Sequence, residues 1–129
     1  MAELKDWALG VASKVSKVSV TERQVGDVFV VSLDGNIIVD GSACKVREII
    51  RRLLAEGCRK ILLDMAHVRW VDSAGLGTLV AALVSVTREG GQIKLLKVRQ
   101  NVKDLLSVTK LDTVFTTYDD EAEALNAYL

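Results

Sequence analysis

The stretch Lys60-Ile61-Leu62-Leu63-Asp64-Met65 constrains most strongly what this chain can fold into. It is short and nearly continuously apolar. A strand with one wet face alternates apolar and polar residues, whereas an unbroken apolar run suits a strand covered on both faces. Amphipathic patterns flank the run and can supply the cover. Upstream, Val46, Ile49, Ile50, Leu53 and Leu54 recur at helical spacing from about Ser42, and Gly57 provides a stop. Downstream, Leu76, Leu79, Val80, Leu83 and Thr87 repeat the pattern between Asp72-Ser73 and Gly90-Gly91. The chain therefore reads as α/β, with helices packed on a buried sheet.

The remaining segments complete that reading. Val18 to Gln24 and Val28 to Leu33 are strands joined at Gly26-Asp27, a hairpin signal, and Asp34-Gly35 ends the second. Ile93 to Val98 is a further strand. Asn101 is placed to cap a short helix carrying Val102, Leu105 and Leu106. Thr113 to Thr117, β-branched and aromatic, reads as a last strand. Asp119, Asp120 and Glu121 put acids in the first turn of a closing helix, where the helix dipole favours them. Ala122, Leu125, Tyr128 and Leu129 form its expected buried stripe. The order β-β-α-β-α-β-α-β-α predicts a mixed sheet of about five strands, antiparallel at the opening hairpin and parallel afterwards, with about four helices. Residues 1–17 stand apart as an extension. There Leu4, Trp7, Ala8, Val11 and Val15 match a short amphipathic helix that caps its own domain, pairs two copies or lies on a partner.

Composition narrows the function classes. A chain of 129 residues, half of them hydrophobic, holds one domain with one packed core and needs no disulfide or metal. Lys plus Arg equals Asp plus Glu at 17 each, and the basic pairs Arg51-Arg52 and Arg59-Lys60 are short, so no nucleic-acid partner is expected. His67 is the single imidazole, and Cys44 and Cys58 lack close ligand spacing, so neither metal nor cofactor is expected. Glu3, Lys5 and Asp6 interrupt the start, and charges break every other apolar run. The reading is a cytoplasmic protein with no membrane partner.

The chemistry concentrates at Asp72-Ser73-Ala74-Gly75-Leu76-Gly77, directly after the buried strand. A serine there sits at a helix start, among backbone N–H groups without intrahelical partners and at the positive end of the dipole, a setting that favours an anion. Small residues at 74, 75 and 77 let another protein approach the hydroxyl. The same residues also fit a plain alternative: Asp72 or Ser73 as an N-cap, and Gly75 and Gly77 as close-packing positions. Catalysis by Ser73 is not expected. A serine nucleophile needs a base within reach, and Val71 stands where the hydrolase elbow Gly-x-Ser-x-Gly has its first glycine.

The apolar strand Ile61 to Met65, the loop Val68-Arg69-Trp70-Val71 and the hexapeptide from Asp72 to Gly77 together resemble the signature of the STAS domain of anti-sigma-factor antagonists. The resemblance spans residues 18–129. It implies that Ser73 is phosphorylated by an anti-sigma factor that is itself a serine kinase. It further implies that the unmodified chain captures this kinase and frees a sigma factor in bacterial stress transcription, and that a phosphatase resets the switch. The implied partner surface is Asp72, Ser73, Ala74, Gly75, Leu76 and Gly77 together with the loop after the second strand. Where that family often reads Gly-x-Ile-Asp, this chain has Gly35-Asn36-Ile37-Ile38, so Asp34 and Asp40 are the candidate acids, with Asn36 between them. The non-enzyme alternative is a STAS assembly or scaffold subunit of a signalling or transport complex, with Ser73 only a cap. A homodimer is compatible with either reading.

Overall fold

The structure, a computed structural model, describes residues 18–39 and 41–128. Strands β1 (Ser19–Val25) and β2 (Val28–Asp34) form the hairpin, and α1 (Ser42–Ala55) and β3 (Lys60–His67) follow. Then come α2 (Ser73–Arg88), β4 (Gln92–Leu96), α3 (Gln100–Val108), a 3-10 turn at Leu111–Thr113, β5 (Thr117–Tyr118) and α4 (Glu121–Asn126). The sheet order is β1-β2-β3-β4-β5. The first pair is antiparallel and the other three are parallel. This is the mixed sheet expected from the sequence.

The pleat explains the apolar run in β3. Successive side chains of a strand point to opposite faces. Ile61 and Leu63 join Val31, Leu33 and Leu95 in a core roofed by Val46, Ile50 and Leu53 of α1 and by Leu79, Ala82 and Val86 of α2. Leu62 points the other way and meets Val28, Val30, Leu96 and Ala124 of α4. Leu62 and Leu63 are both 0% exposed, so each face of β3 is sealed. Tyr128 fastens the chain after α4: its hydroxyl donates to the carbonyl of Ile61, and burial pushes its pKa upward. The ammonium of Lys94 lies 5.3 Å from the centre of its ring.

Three local expectations are corrected. The last strand is Thr117–Tyr118, not residues 113–117. Lys110 adopts a left-handed conformation (φ 65°) at the end of α3 and folds the chain into the 3-10 turn. That turn delivers Phe115 to the core, so β-branched and aromatic character at 113–115 reflects burial as much as strand pairing. Asn101 does not cap α3. Arg99 holds the N-cap position, and the Asn101 amide donates to the carbonyl of Arg69 instead. In α4 the cap is Asp120, which accepts from the N–H of Glu123 at 3.0 Å, while Asp119 precedes the helix. Ala124 is buried there and Ala122 is exposed. The expected helix within residues 1–17 and the role given to Leu129 lie outside the described residues.

Candidate functional site

The site is assembled where the parallel strands end. Beyond β2 the chain runs beside the loop that follows β3. Gly35 N–H donates to the carbonyl of His67 at 3.1 Å, and Ile37 N–H donates to the carbonyl of Trp70 at 3.0 Å. Ile37 then forms a parallel bridge with Val71, and its carbonyl accepts from Asp72 N–H at 3.3 Å. Ile37, Val68 and Val71 all point into the core, at 0%, 0% and 1% exposure. Sheet pairing is thus prolonged past the regular strand ends, and two loops become one rigid rim.

Asp72 joins the rim to α2. Its backbone is extended, as an N-cap requires. One carboxylate oxygen accepts from Gly75 N–H at 2.8 Å and the other from Val39 N–H at 3.0 Å. One side chain therefore satisfies an orphan donor of the helix and tethers the β2–α1 loop. Ser73 is the first residue of α2. It is exposed, and among the described residues nothing hydrogen-bonds its hydroxyl. The capping role falls to Asp72 and leaves the serine open. Asp34, at the end of β2, and Asn36, in the loop, are exposed on the same rim, while Asp40 lies outside the described residues.

A STAS domain model matches residues 19–124. The chain belongs to the STAS domain family. A candidate anti-sigma factor antagonist of Thermotoga neapolitana is 32% identical over 101 residues, covering 78% of this chain and 89% of that one. The crystal structure of a candidate anti-sigma factor antagonist from Thermotoga maritima superposes with a TM-score of 0.79 at 27% identity, covering 84% of this chain and 93% of the other. The antagonist SpoIIAA of Bacillus shares the fold in its unphosphorylated and phosphorylated forms. Its TM-scores are 0.65 and 0.67 at 18% and 17% identity, covering 84% of this chain and 96% and 97% of SpoIIAA.

Within this STAS domain the glycines of the hexapeptide separate sharply. A Cβ on Gly75 would lie 1.9 Å from the carbonyl oxygen of Ile37 and 2.9 Å from Cγ1 of Val71. Gly75 is buried, so its lack of a side chain serves the packing of the rim on the helix and offers nothing to a visitor. A Cβ on Gly77 would meet nothing within 4 Å, and the residue is exposed. Ala74 and Leu76 are half-buried. Two apolar residues are exposed on this rim: Trp70, part of the signature loop, at 56%, and Val39, which the sequence does not single out, at 78%. Periodicity assigns apolar residues to a core, and nothing local marks these two as surplus to it. Members of the short basic clusters are paired, Arg59 with Glu89 at 3.2 Å and Lys60 with Asp27 at 2.7 Å. Among the described residues no group of His, Cys, Asp and Glu could hold a metal ion, and no helix is long and apolar enough to cross a membrane.

The Asp72 carboxyl titrates below its ordinary range. The hydrogen bond from Gly75 N–H is the largest cause; desolvation opposes it, and the hydrogen bond from Val39 N–H makes a smaller contribution in the same direction as that from Gly75. Because the folded pKa lies below the unfolded one, this stabilisation is present above pH about 4 and is lost as the pH falls through the folded value. Amide-exchange protection of Gly75 and Val39 is therefore expected to drop together in acid. Asp72→Asn should remove that pH dependence, and Asp72→Ala should lower both the protection and the Tm. Protection at Val39 that ignores both pH and substitution would contradict the tether.

Proposed function

We propose that this STAS domain acts as an anti-sigma factor antagonist: unmodified, it binds an anti-sigma serine kinase and releases the sigma factor, and phosphorylation of Ser73 ends the binding. The observation that carries the reading is the Ser73 hydroxyl, exposed and unengaged at the first position of a helix whose cap is already made by Asp72. Ser73 is then a substrate, not a nucleophile of this chain's own catalysis. In the kinase complex its Oγ bonds to the γ-phosphorus of ATP, the bond from that phosphorus to the bridging oxygen breaks, ADP leaves, and the hydroxyl proton passes to a base of the kinase.

The surface offered to the kinase is Ser73 with Asp72, Ala74, Leu76 and Gly77, and Asp34 and Asn36 from the neighbouring loop. Gly77 supports this reading. Glycine inside a helix costs about 1 kcal/mol relative to alanine, and the fold gives no packing reason for it at this position. A partner backbone seated close to the helix start supplies one. The relatives named as anti-sigma factor antagonists support the partner class, and a phosphatase is the enzyme that would return the modified chain to service.

A competition assay tests this function. Adding the unmodified chain to a preformed complex of sigma factor and anti-sigma kinase should displace the sigma factor stoichiometrically. A complex that survives a large excess of the chain would contradict the proposal.

A further inference from the structure

We infer that Trp70 and Val39 are the apolar anchors by which the kinase grips the domain around Ser73, and that the kinase answers with an apolar pocket able to take an indole beside its phosphate-transfer site. The inference rests on the reading of the preceding section and adds to it two contact residues and the chemistry of the partner's surface.

The core has no use for these two side chains. Ile37, Val68 and Val71 occupy the inward positions of the two loops and are fully buried, so Trp70 and Val39 are left outside. Six large hydrophobic residues are exposed among the described residues, and only these two are fixed to the same rim as Ser73. The Trp70 carbonyl accepts from Ile37 N–H, and Val39 N–H donates to the Asp72 carboxylate. The β3–α2 loop is also braced from the far side: Arg99 Nε donates to the carbonyl of Ala66 at 2.9 Å, and the Asn101 amide donates to that of Arg69.

An exposed tryptophan on a braced loop is costly to leave in water and cheap to dock. It offers a large contact area, its backbone is already ordered, and tryptophan is enriched among the residues that dominate binding. The reach of the chain places the pocket. Trp70 and Ser73 are three residues apart, a span of about 10 Å at most. That limit holds for the Cα atoms, so a kinase seated over Ser73 meets the loop that carries the indole directly beside it. Phosphorylation introduces charge at the edge of this apolar contact, where desolvating it is hardest to compensate.

The chain contains two tryptophans, so a Trp7→Phe background makes Trp70 the sole indole reporter. Titrating this full chain with the anti-sigma kinase should shift the emission to the blue and shield the indole from acrylamide. Trp70→Ala should weaken binding by about 30-fold or more. Val39→Ala should weaken it by several-fold, and Trp70→Phe should recover most of the loss. The Tm should stay close to wild type in Val39→Ala and Trp70→Phe, and the circular dichroism spectrum of Trp70→Ala should show a folded chain even where its half-covered indole costs some Tm. If the kinase binds the wild-type chain, and Trp70→Ala binds as well with no indole shift, this inference fails and the preceding reading stands. If Trp70→Ala instead breaks a homodimer and leaves kinase affinity intact, the indole serves a second copy and the inference again fails. If the wild-type chain does not bind the kinase at all, both fall.

Discussion

Gly75→Ala should cost the domain roughly 3–5 kcal/mol, against a total stability of about 5–15 kcal/mol for a domain of this kind. The added methyl would sit 1.9 Å from a backbone carbonyl oxygen, that of Ile37. No rotamer change relieves a clash with backbone. Either α2 or the β2–α1 loop must move, and the loop is held by the hydrogen bond from Ile37 N–H to Trp70 and by that from Asp72 N–H to Ile37. Overpacking alone is worth about 1–3 kcal/mol, and each of those hydrogen bonds adds about 1 kcal/mol when broken. The Tm should fall by roughly 10–20 °C, read by thermal denaturation followed by circular dichroism. Gly77→Ala, two positions on in the same helix, should do the opposite. Nothing stands in its way, and the helix gains up to about 1 kcal/mol. In the complex, however, the Gly77→Ala methyl should collide with the partner, so that a more stable protein binds less well. Equal stability losses at 75 and 77 would mean that the rim does not pack on the helix as described.

Ser73→Asp should weaken binding to the anti-sigma kinase about a thousandfold while leaving the circular dichroism spectrum as it is. The two effects differ because the charge meets two different environments. In the free domain it sits in water at the start of α2, where the dipole favours a negative charge by about 0.3–1 kcal/mol and the neighbouring Asp72 carboxylate offsets part of the gain. In the complex it is removed from water. Burying an unmatched charge costs several kcal/mol, and about 4 kcal/mol corresponds to a factor of a thousand in affinity. A phosphoserine carries about −1.5 to −2 charges and should act in the same direction, more strongly. Ser73→Ala should keep its affinity and lose its switch. Wild-type affinity in Ser73→Asp, measured by calorimetry, would mean that charge at this position is not what ends the binding.

The architecture was legible wherever hydrophobic period and punctuation agreed. The apolar run of β3 announced a strand buried on both faces, and Leu62 and Leu63 do seal opposite sides of the sheet. The helix opening at Ser73 could be read from Asp72-Ser73 and its end from Gly90-Gly91. Misreadings arose where one composition serves two purposes. Thr113 to Thr117 has strand-like residues because Phe115 must enter the core, and Asn101 has a cap's chemistry but spends it on the neighbouring loop. The candidate site was legible in outline only. Asp72 and Ser73 stood out, but which of them caps the helix depends on where the carboxylate points. The different duties of Gly75 and Gly77 depend on Ile37, a residue remote in the chain that no local pattern connects to them. The exposure of Trp70, which stood in the signature loop, and of Val39 could not be read for the same reason: whether an apolar side chain is surplus to a core is a property of the assembled fold.

The most direct test is the position of the phosphate. After incubation with an anti-sigma serine kinase and ATP, mass spectrometry of the digested chain should find one phosphate, on the hydroxyl of Ser73, and none in Ser73→Ala. Phosphate on any other residue, or none in the wild-type chain with a kinase that binds it, would contradict the account.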